Sequence, residues 1–215
     1  MVKIIFDKIS SDYDRMNNII SLFTHKFIKR VCVKTLGLSW KSKVIDLCCG
    51  TGDIAQIVKK TCPACSVIGC DFSTKMLEIA AKKVQDVNFV EADCQNLPFE
   101  DEEFDYVTMG FGLRNVKDRN AAMKEISRIL KSGGRFMHLD FGKGFRIFDS
   151  IFDFVVGNII DKLYGNNGEY KYLIDSKKNF PNPEQLIEYF EQFNLKFYAR
   201  KDFLFGIISC QILIK

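Results

Sequence analysis

Long hydrophobic runs, histidine, and a charge excess of one sign are all scarce in this 215-residue chain. No apolar stretch reaches the ~18 residues that a membrane span needs, so at most peripheral membrane contact is expected. The formal net charge is only +4, too mild to argue for a nucleic-acid partner, although it suits rest on an anionic membrane surface. Only two histidines, His25 and His138, are available for acid–base work. His138 falls in a strand-like run and is expected to be a satisfied core group, whereas His25 is a substrate-side candidate. No repeat, low-complexity tract or linker is visible, and no secretory signal precedes the first cysteines. A disulfide framework is therefore not expected, and a cytoplasmic setting is. Cys62 and Cys65 have the spacing of half a zinc or redox site, but a lone pair falls short of four ligands and reads as a loop.

Hydrophobic residues make up 47% and charged residues 27%, as in a globular protein with a sizeable core. The 20 phenylalanines are more than so small a core easily hides, which points to a greasy pocket or an exposed patch.

Periodicity divides the chain. Residues 1–40 read as a helical cap in which Ile19, Ile20, Phe23, Phe27, Ile28 and Val31 recur at helical spacing, ended by Gly37. Strands are expected at 44–49, 67–71, 88–91, 104–109 and 135–140. Helices are expected at 53–60 with Asp53 as cap, at 73–84 with Ser73 as cap, and at 118–130 with a stop at 132–134. A further helix at 183–193 precedes two closing strands at 195–200 and 207–214. Strands alternating with helices imply a Rossmann-like α/β fold: a seven-stranded, mostly parallel sheet with helices on both faces and an antiparallel last strand. The chain reads as a single domain, 1–215. The insert at 141–182 is too long for a simple connection and is expected to carry function. Within it Phe145, Phe148, Ile151, Phe152, Val155 and Ile159 suggest an amphipathic helix. That helix either packs on the core or roofs a greasy site at the membrane, with Gly142, Gly144, Gly165 and Gly168 allowing movement.

The chemistry concentrates at strand ends. In an open α/β sheet, ligands bind beyond the carboxyl ends of the strands. Gly50, Thr51 and Gly52 follow the first strand, Gly50 for a tight turn and Gly52 for close approach of a ligand to the backbone. The spacing Gly50-x-Gly52-x-x-Ala55 with Asp71 downstream also matches a dinucleotide fingerprint, so an NAD-dependent oxidoreductase has to be weighed. Asp53 at the start of the following helix would repel a pyrophosphate there. It suits a cofactor that carries an ammonium and a sulfonium instead, namely S-adenosylmethionine. Asp46 is expected to hold the turn or assist the ammonium. Asp71 is expected to accept the ribose hydroxyls beside Phe72. Asp93 is expected to meet the adenine amino group, with the Cys94 backbone N–H on a ring nitrogen. Gly110, at the end of the fourth strand, joins this cofactor-binding set.

Beyond the cofactor loop Asp46-Leu47-x-x-Gly50-Thr51-Gly52-Asp53, several stretches are distinctive. They are Phe6-Asp7-x-Ile9, Tyr13-Asp14-x-Met16-Asn17, Leu97-Pro98-Phe99, Phe104-Asp105, Phe111-Gly112-Leu113-Arg114-Asn115-Val116, Tyr170-x-Tyr172-Leu173-x-x-Ser176 and Phe180-Pro181. Together they resemble the UbiE/MenG C-methyltransferases of menaquinone and ubiquinone biosynthesis over nearly the whole chain. Departures are Ile28 in place of a Trp, Asp140-Phe141-Gly142-Lys143-Gly144 in place of Glu-Phe-Ser-Lys-Pro, Gly110 in place of a small polar residue, and a missing His near Cys210-Gln211. The resemblance implies a class I S-adenosylmethionine-dependent methyltransferase that methylates a ring carbon of a polyprenylated quinol, most simply demethylmenaquinol, with the benzoquinol of ubiquinone synthesis as the alternative. It implies S-adenosylhomocysteine as product and no metal. It leaves room for a homo-oligomer and for contact with the inner face of the membrane. Arg114 is expected to stabilise the developing phenolate and orient a water, Asn115 to hold the quinol oxygen, and Tyr13 to fold over the cofactor. Against the catalytic role of Arg114 stands a surface ion pair with an acid such as Asp118. A different class, a non-catalytic lipid-binding subunit of a quinone-making complex, is disfavoured by the Arg-Asn pair.

Overall fold

The computed structural model describes residues 2–11, 13–21, 23–144 and 179–215, together with Ser150, Phe154, Ser176 and Lys177. Most of the expected insert lies outside the described residues. This includes its helix from Phe145 to Ile159, Gly165, Gly168 and the Tyr170–Leu173 stretch.

Three helices lead the chain: α1 (Val2–Ile9), α2 (Tyr13–Ile20) and α3 (Thr24–Leu36). Gly37 ends α3 at φ 67°, a left-handed conformation that glycine adopts without Cβ strain. Then follow β1 (Lys43–Leu47), α4 (Asp53–Thr61), β2 (Ser66–Asp71), α5 (Thr74–Lys83), β3 (Asn88–Glu91) and β4 (Phe104–Gly110). A single 3-10 turn at Leu113–Asn115 leads to α6 (Arg119–Ile129) and β5 (Leu130–Phe141). The described chain closes with α7 (Pro183–Glu191), β6 (Lys196–Phe203) and β7 (Ile208–Ile214).

Among the described residues the strands form one seven-stranded sheet in the order β3-β2-β1-β4-β5-β7-β6. Neighbours from β3 to β5 pair in parallel, and β7 runs antiparallel to both β5 and β6. This is the expected architecture. The order turns at β1 and β4, and ligands of such sheets sit beyond the carboxyl ends there.

Side chains alternate between two apolar cores. Val44, Tyr106, Met137, Leu139 and Ile212 pack with α3 and α4, while Ile45, Leu47, Val107, Met109 and Phe136 pack with α6 and α7. Period-two alternation between two buried faces is what a sheet covered by helices on both sides requires.

Three local expectations need correction. Asp53 does not cap α4; that place belongs to Gly52 at φ 80°, and no side chain caps the helix there. The stop expected at residues 132–134 is instead part of β5, where Gly133 donates to the Lys215 carbonyl and Lys215 to the Gly134 carbonyl. The chain end thus recruits the glycines into the sheet. Cys62 and Cys65 are joined as a disulfide, because the end of α4 and the approach to β2 bring their α-carbons within 5.4 Å. Ser73 does cap α5, accepting the Met76 N–H, and Asp118 caps α6, accepting the Ala121 N–H.

Candidate functional site

The turn between β1 and α4 is braced from three strands. Asp46 on β1 is buried, accepting the hydroxyl of Thr108 on β4 at 2.7 Å and the Ala55 N–H of α4 at 3.1 Å. Burial pushes its carboxyl up to about 7 against the pull of those two hydrogen bonds. Of its two expected roles, the geometry supplies the structural one: it holds the turn.

Asp71 ends β2 and is also buried. One oxygen accepts the Gly50 N–H at 2.8 Å and the other the Ser73 N–H at 2.9 Å. Burial raises its pKa, opposed by the N–H groups of Ser73, Gly50 and Phe72. Each carboxylate oxygen still has acceptor capacity, since a carboxylate offers about four lone-pair positions. Asp93 follows β3 and is exposed, its two oxygens engaged by the Gln95 amide at 2.9 Å. Cys94 beside it is buried.

Asp53 departs most from expectation. It receives Lys29 at 2.8 Å and Lys83 at 2.6 Å, and lies 3.7 Å from His25 Nε2. Burial opposes its charge, but the two lysines win and hold it ionised well below the usual carboxylate range. The expected uncompensated charge at the start of α4 is therefore neutralised. His25 belongs to this network: Ser21 bonds its Nδ1 at 2.7 Å, and burial lowers its pKa to about 4.

The same network fastens the N-terminal helices onto the glycine turn. Asp14 of α2 accepts Thr51 and Lys83, both at 2.6 Å. Asp7 of α1 accepts the Ser73 hydroxyl, and Lys3 pairs with Glu91 at 2.9 Å on the exposed surface. The Phe6 ring lies edge-on to both Tyr13 and Phe72. Tyr13 lies over the turn, so that a Cβ on Gly50 would stand 3.9 Å from its ring.

The other glycines serve packing. A Cβ on Gly52 would meet Phe89 at 3.1 Å, one on Gly110 would strike Ile54, and one on Gly112 would lie 2.6 Å from Cys48 Cβ. The missing Cβ at Gly52, Gly110 and Gly112 thus makes room for neighbouring side chains, Gly110 being filled by Ile54 of α4.

Arg114 corrects its own alternative. It does not pair with Asp118, which caps α6, but with Asp140 at the end of β5, Nη1 to Oδ1, at 2.6 Å. The two side chains are 5% and 1% exposed, so the pair is buried. Nη1 also donates to the Phe111 carbonyl at 2.8 Å. The guanidinium lies over the edge-on pair of Phe111 and Phe141 rings, 5.5 and 4.9 Å from their centroids, which favours a delocalised cation. Asn115 donates to the same Phe111 carbonyl at 3.2 Å.

His138 is in the core as expected but is not satisfied there. Gln211 on β7, opposite it in register, meets its Nδ1 at 2.9 Å, while Nε2 has no partner among the described residues. Lys29, Lys83, Asp14 and Asp140 were not among the expected site residues. Asp14 and Asp140 do stand in the distinctive stretches, which was the one available signal. No group of three or more metal-ligating side chains is assembled among the described residues, and no helix there is long and apolar enough to cross a membrane.

Comparison with known proteins gives a consistent picture. The model of the ubiE/COQ5 methyltransferase family matches residues 1–215. A demethylmenaquinone methyltransferase of Staphylococcus saprophyticus is 38% identical over 221 residues, covering 97% of this chain and 93% of that protein. The protein of the same name from Staphylococcus aureus strain Newman is 41% identical over 197 residues, covering 87% and 82%. A SAM-dependent methyltransferase from Thermotoga maritima shares the fold at TM-score 0.71 and 22% identity over the whole of both chains. One from Aquifex aeolicus does so at 0.66 and 15%, covering 86% and 88%.

Proposed function

The chain belongs to the ubiE/COQ5 methyltransferase family, and on that premise we propose that it methylates a ring carbon of demethylmenaquinol to give menaquinol. The observation that carries this reading is its likeness, over 97% of its length, to a demethylmenaquinone methyltransferase. The benzoquinol alternative has no such support among the relatives described above.

S-adenosylmethionine supplies an activated methyl group when bound. The turn fits it: Asp71 keeps acceptor capacity for ribose hydroxyls, Asp93 is an exposed acceptor at the next strand end for an adenine amino group, and Tyr13 covers the turn. In this reading Gly50, Thr51 and Gly52 form the bed, with Phe72, Cys94 and Gly110 around it. Asp46 and Asp53 act through structure, the first bracing α4 and the second tying α3 and α5 together. Alignment of reacting groups is worth several kcal/mol, so a rigid bed matters.

Arg114 and Asn115 serve the quinol. An arginine stays protonated and is a poor base, so its part is to stabilise a phenolate. Asn115 orients the same oxygen. No metal is needed for these steps.

A polyprenylated substrate resides in a membrane. Phe23 and Phe27 are 70% and 64% exposed at the start of α3, beside exposed Lys26 and Arg30. This combination suits peripheral contact with anionic lipid. Flotation with anionic vesicles tests it: Phe23→Ser with Phe27→Ser is expected to abolish flotation, and undiminished flotation contradicts it. For the function itself, cells lacking the protein are expected to accumulate demethylmenaquinone by mass spectrometry; normal menaquinone there contradicts the reading.

A further inference from the structure

Five buried side-chain atoms lack a hydrogen-bond partner among the described residues, and four of them share one place: Arg114 Nε, His138 Nε2, Asp140 Oδ2 and Ser209 Oγ. Asp140 and Ser209 are register partners on β5 and β7, so their side chains stand on the same face of the sheet. Buried polar atoms are rarely left unmet, and a cluster of them marks a place built for a water or a proton.

The tautomer of His138 can be read from its neighbours. Gln211 Nε2 donates to the Pro183 carbonyl at 2.8 Å, which turns the amide oxygen toward His138 Nδ1 at 2.9 Å. That oxygen can only accept, so Nδ1 carries the hydrogen and Nε2 presents a bare lone pair. Nε2 faces Asp140 Oδ2 at 3.9 Å. Two acceptors thus confront each other across a gap wide enough for a water lying off their axis, in the manner of an imidazole waiting for a proton beside the carboxylate that will stabilise it. Asp140 Oδ1 is already committed to Arg114 and to the Phe141 N–H, which fixes the carboxylate's orientation.

We propose that His138 Nε2 is the proton acceptor for the quinol, reached through one water held by Asp140 Oδ2, Ser209 Oγ and Arg114 Nε. This rests on the quinol reading above. The substrate O–H bond breaks and leaves its electron pair on oxygen as phenolate. The water takes that proton and passes one of its own to His138, which becomes an imidazolium facing Asp140. Arg114 supplies the positive charge that favours the phenolate.

Burial lowers the pKa of His138, the charge of Asp140 opposes that, and Arg114 adds to it. The ring therefore rests neutral and ready. Phe136, Phe180 and Phe190 surround it and keep bulk water out.

With only two histidines in the chain, nitrogen NMR of 15N-histidine protein reads this site directly. The full-length protein is titrated with 4-methoxy-1-naphthol in the presence of S-adenosylhomocysteine, and the naphtholate absorbance is followed in parallel. Expected are a bare Nε2 at neutral pH, its protonation as the probe binds, and a naphtholate band that His138→Gln returns to the level of the free probe. Turnover should fall about 10²-fold in that variant. Should His138→Gln fail to fold, Asp140→Asn serves, and its imidazole should stay neutral on probe binding. A protonated Nε2 at rest, or a bound probe that leaves His138 neutral in the parent protein, overturns the relay while sparing the quinol reading. A probe that does not bind overturns both.

Discussion

Asp46 on β1 receives the backbone N–H of Ala55 across 3.1 Å, so the first turn of α4 is capped by a residue outside its own helix. A helix start with no local side-chain cap leaves N–H groups that something else must satisfy. Here a strand carboxylate does so, and burial holds that carboxylate's pKa up at about 7 instead of the usual 3.8. A carboxyl raised on folding binds more protons in the folded state. Its contribution is complete below the unfolded value and is lost as pH rises through about 7. Asp46→Asn keeps an acceptor for Ala55 without the charge. The stability of the variant relative to the parent, measured by urea unfolding, is expected to grow as pH rises from about 4 to above 7. Parallel pH profiles would refute the assignment.

Of the three acids proposed for the cofactor, Asp71 is held in place by two backbone N–H groups at the end of β2. Asp71→Ala is expected to weaken S-adenosylmethionine binding by roughly 10- to 100-fold in calorimetric titration, as loss of charged hydrogen bonds does. Parent-like affinity in a folded variant would remove Asp71 from the cofactor site.

Arg114→Ala leaves Asp140 as a buried charge without its counter-ion, which typically costs about 3–5 kcal/mol. The variant should unfold at lower denaturant, bind cofactor nearly as the parent does, and turn over poorly. Arg114→Lys should recover part of the stability but little turnover, because an ammonium lacks the planar face that the guanidinium lays over Phe111 and Phe141. Full turnover in either variant would exclude Arg114 from the chemistry.

Gly112 faces Cys48 Cβ at a distance no side chain could share, and Cys48 itself is left-handed at φ 53°. Gly112→Ala is expected to cost about 1–3 kcal/mol by overpacking. Adding Cys48→Gly should recover much of that loss, since it removes the clashing atom and the backbone strain together. Strictly additive unfolding energies would show that the two positions do not collide.

The parallel strands β1, β2 and β4 were legible because each is a short, largely apolar run; β3 at Asn88–Glu91 matches its expected range to the residue. The stop expected at residues 132–134 misled because its glycines are claimed by Lys215, a partner from the far end of the chain. Asp53 misled for the same reason. Its lysines lie 24 and 30 residues away, and nothing local announces them. Glycine spacing is ambiguous by nature, as Gly110 shows: sequence marks the absent Cβ but not whether a ligand or Ile54 fills the gap. His138 and Gln211, 73 residues apart, become partners only once β5 and β7 are in register.

The proposed reaction is methyl transfer to a naphthoquinol ring. It is tested most directly by incubating the purified chain, without oxygen, with methyl-labelled S-adenosylmethionine and a short-chain demethylmenaquinol, then locating the label by mass spectrometry and NMR. Label is expected on the ring carbon in stoichiometric balance with S-adenosylhomocysteine. Cofactor binding with no label on the quinol, or label only on its oxygen, would contradict it.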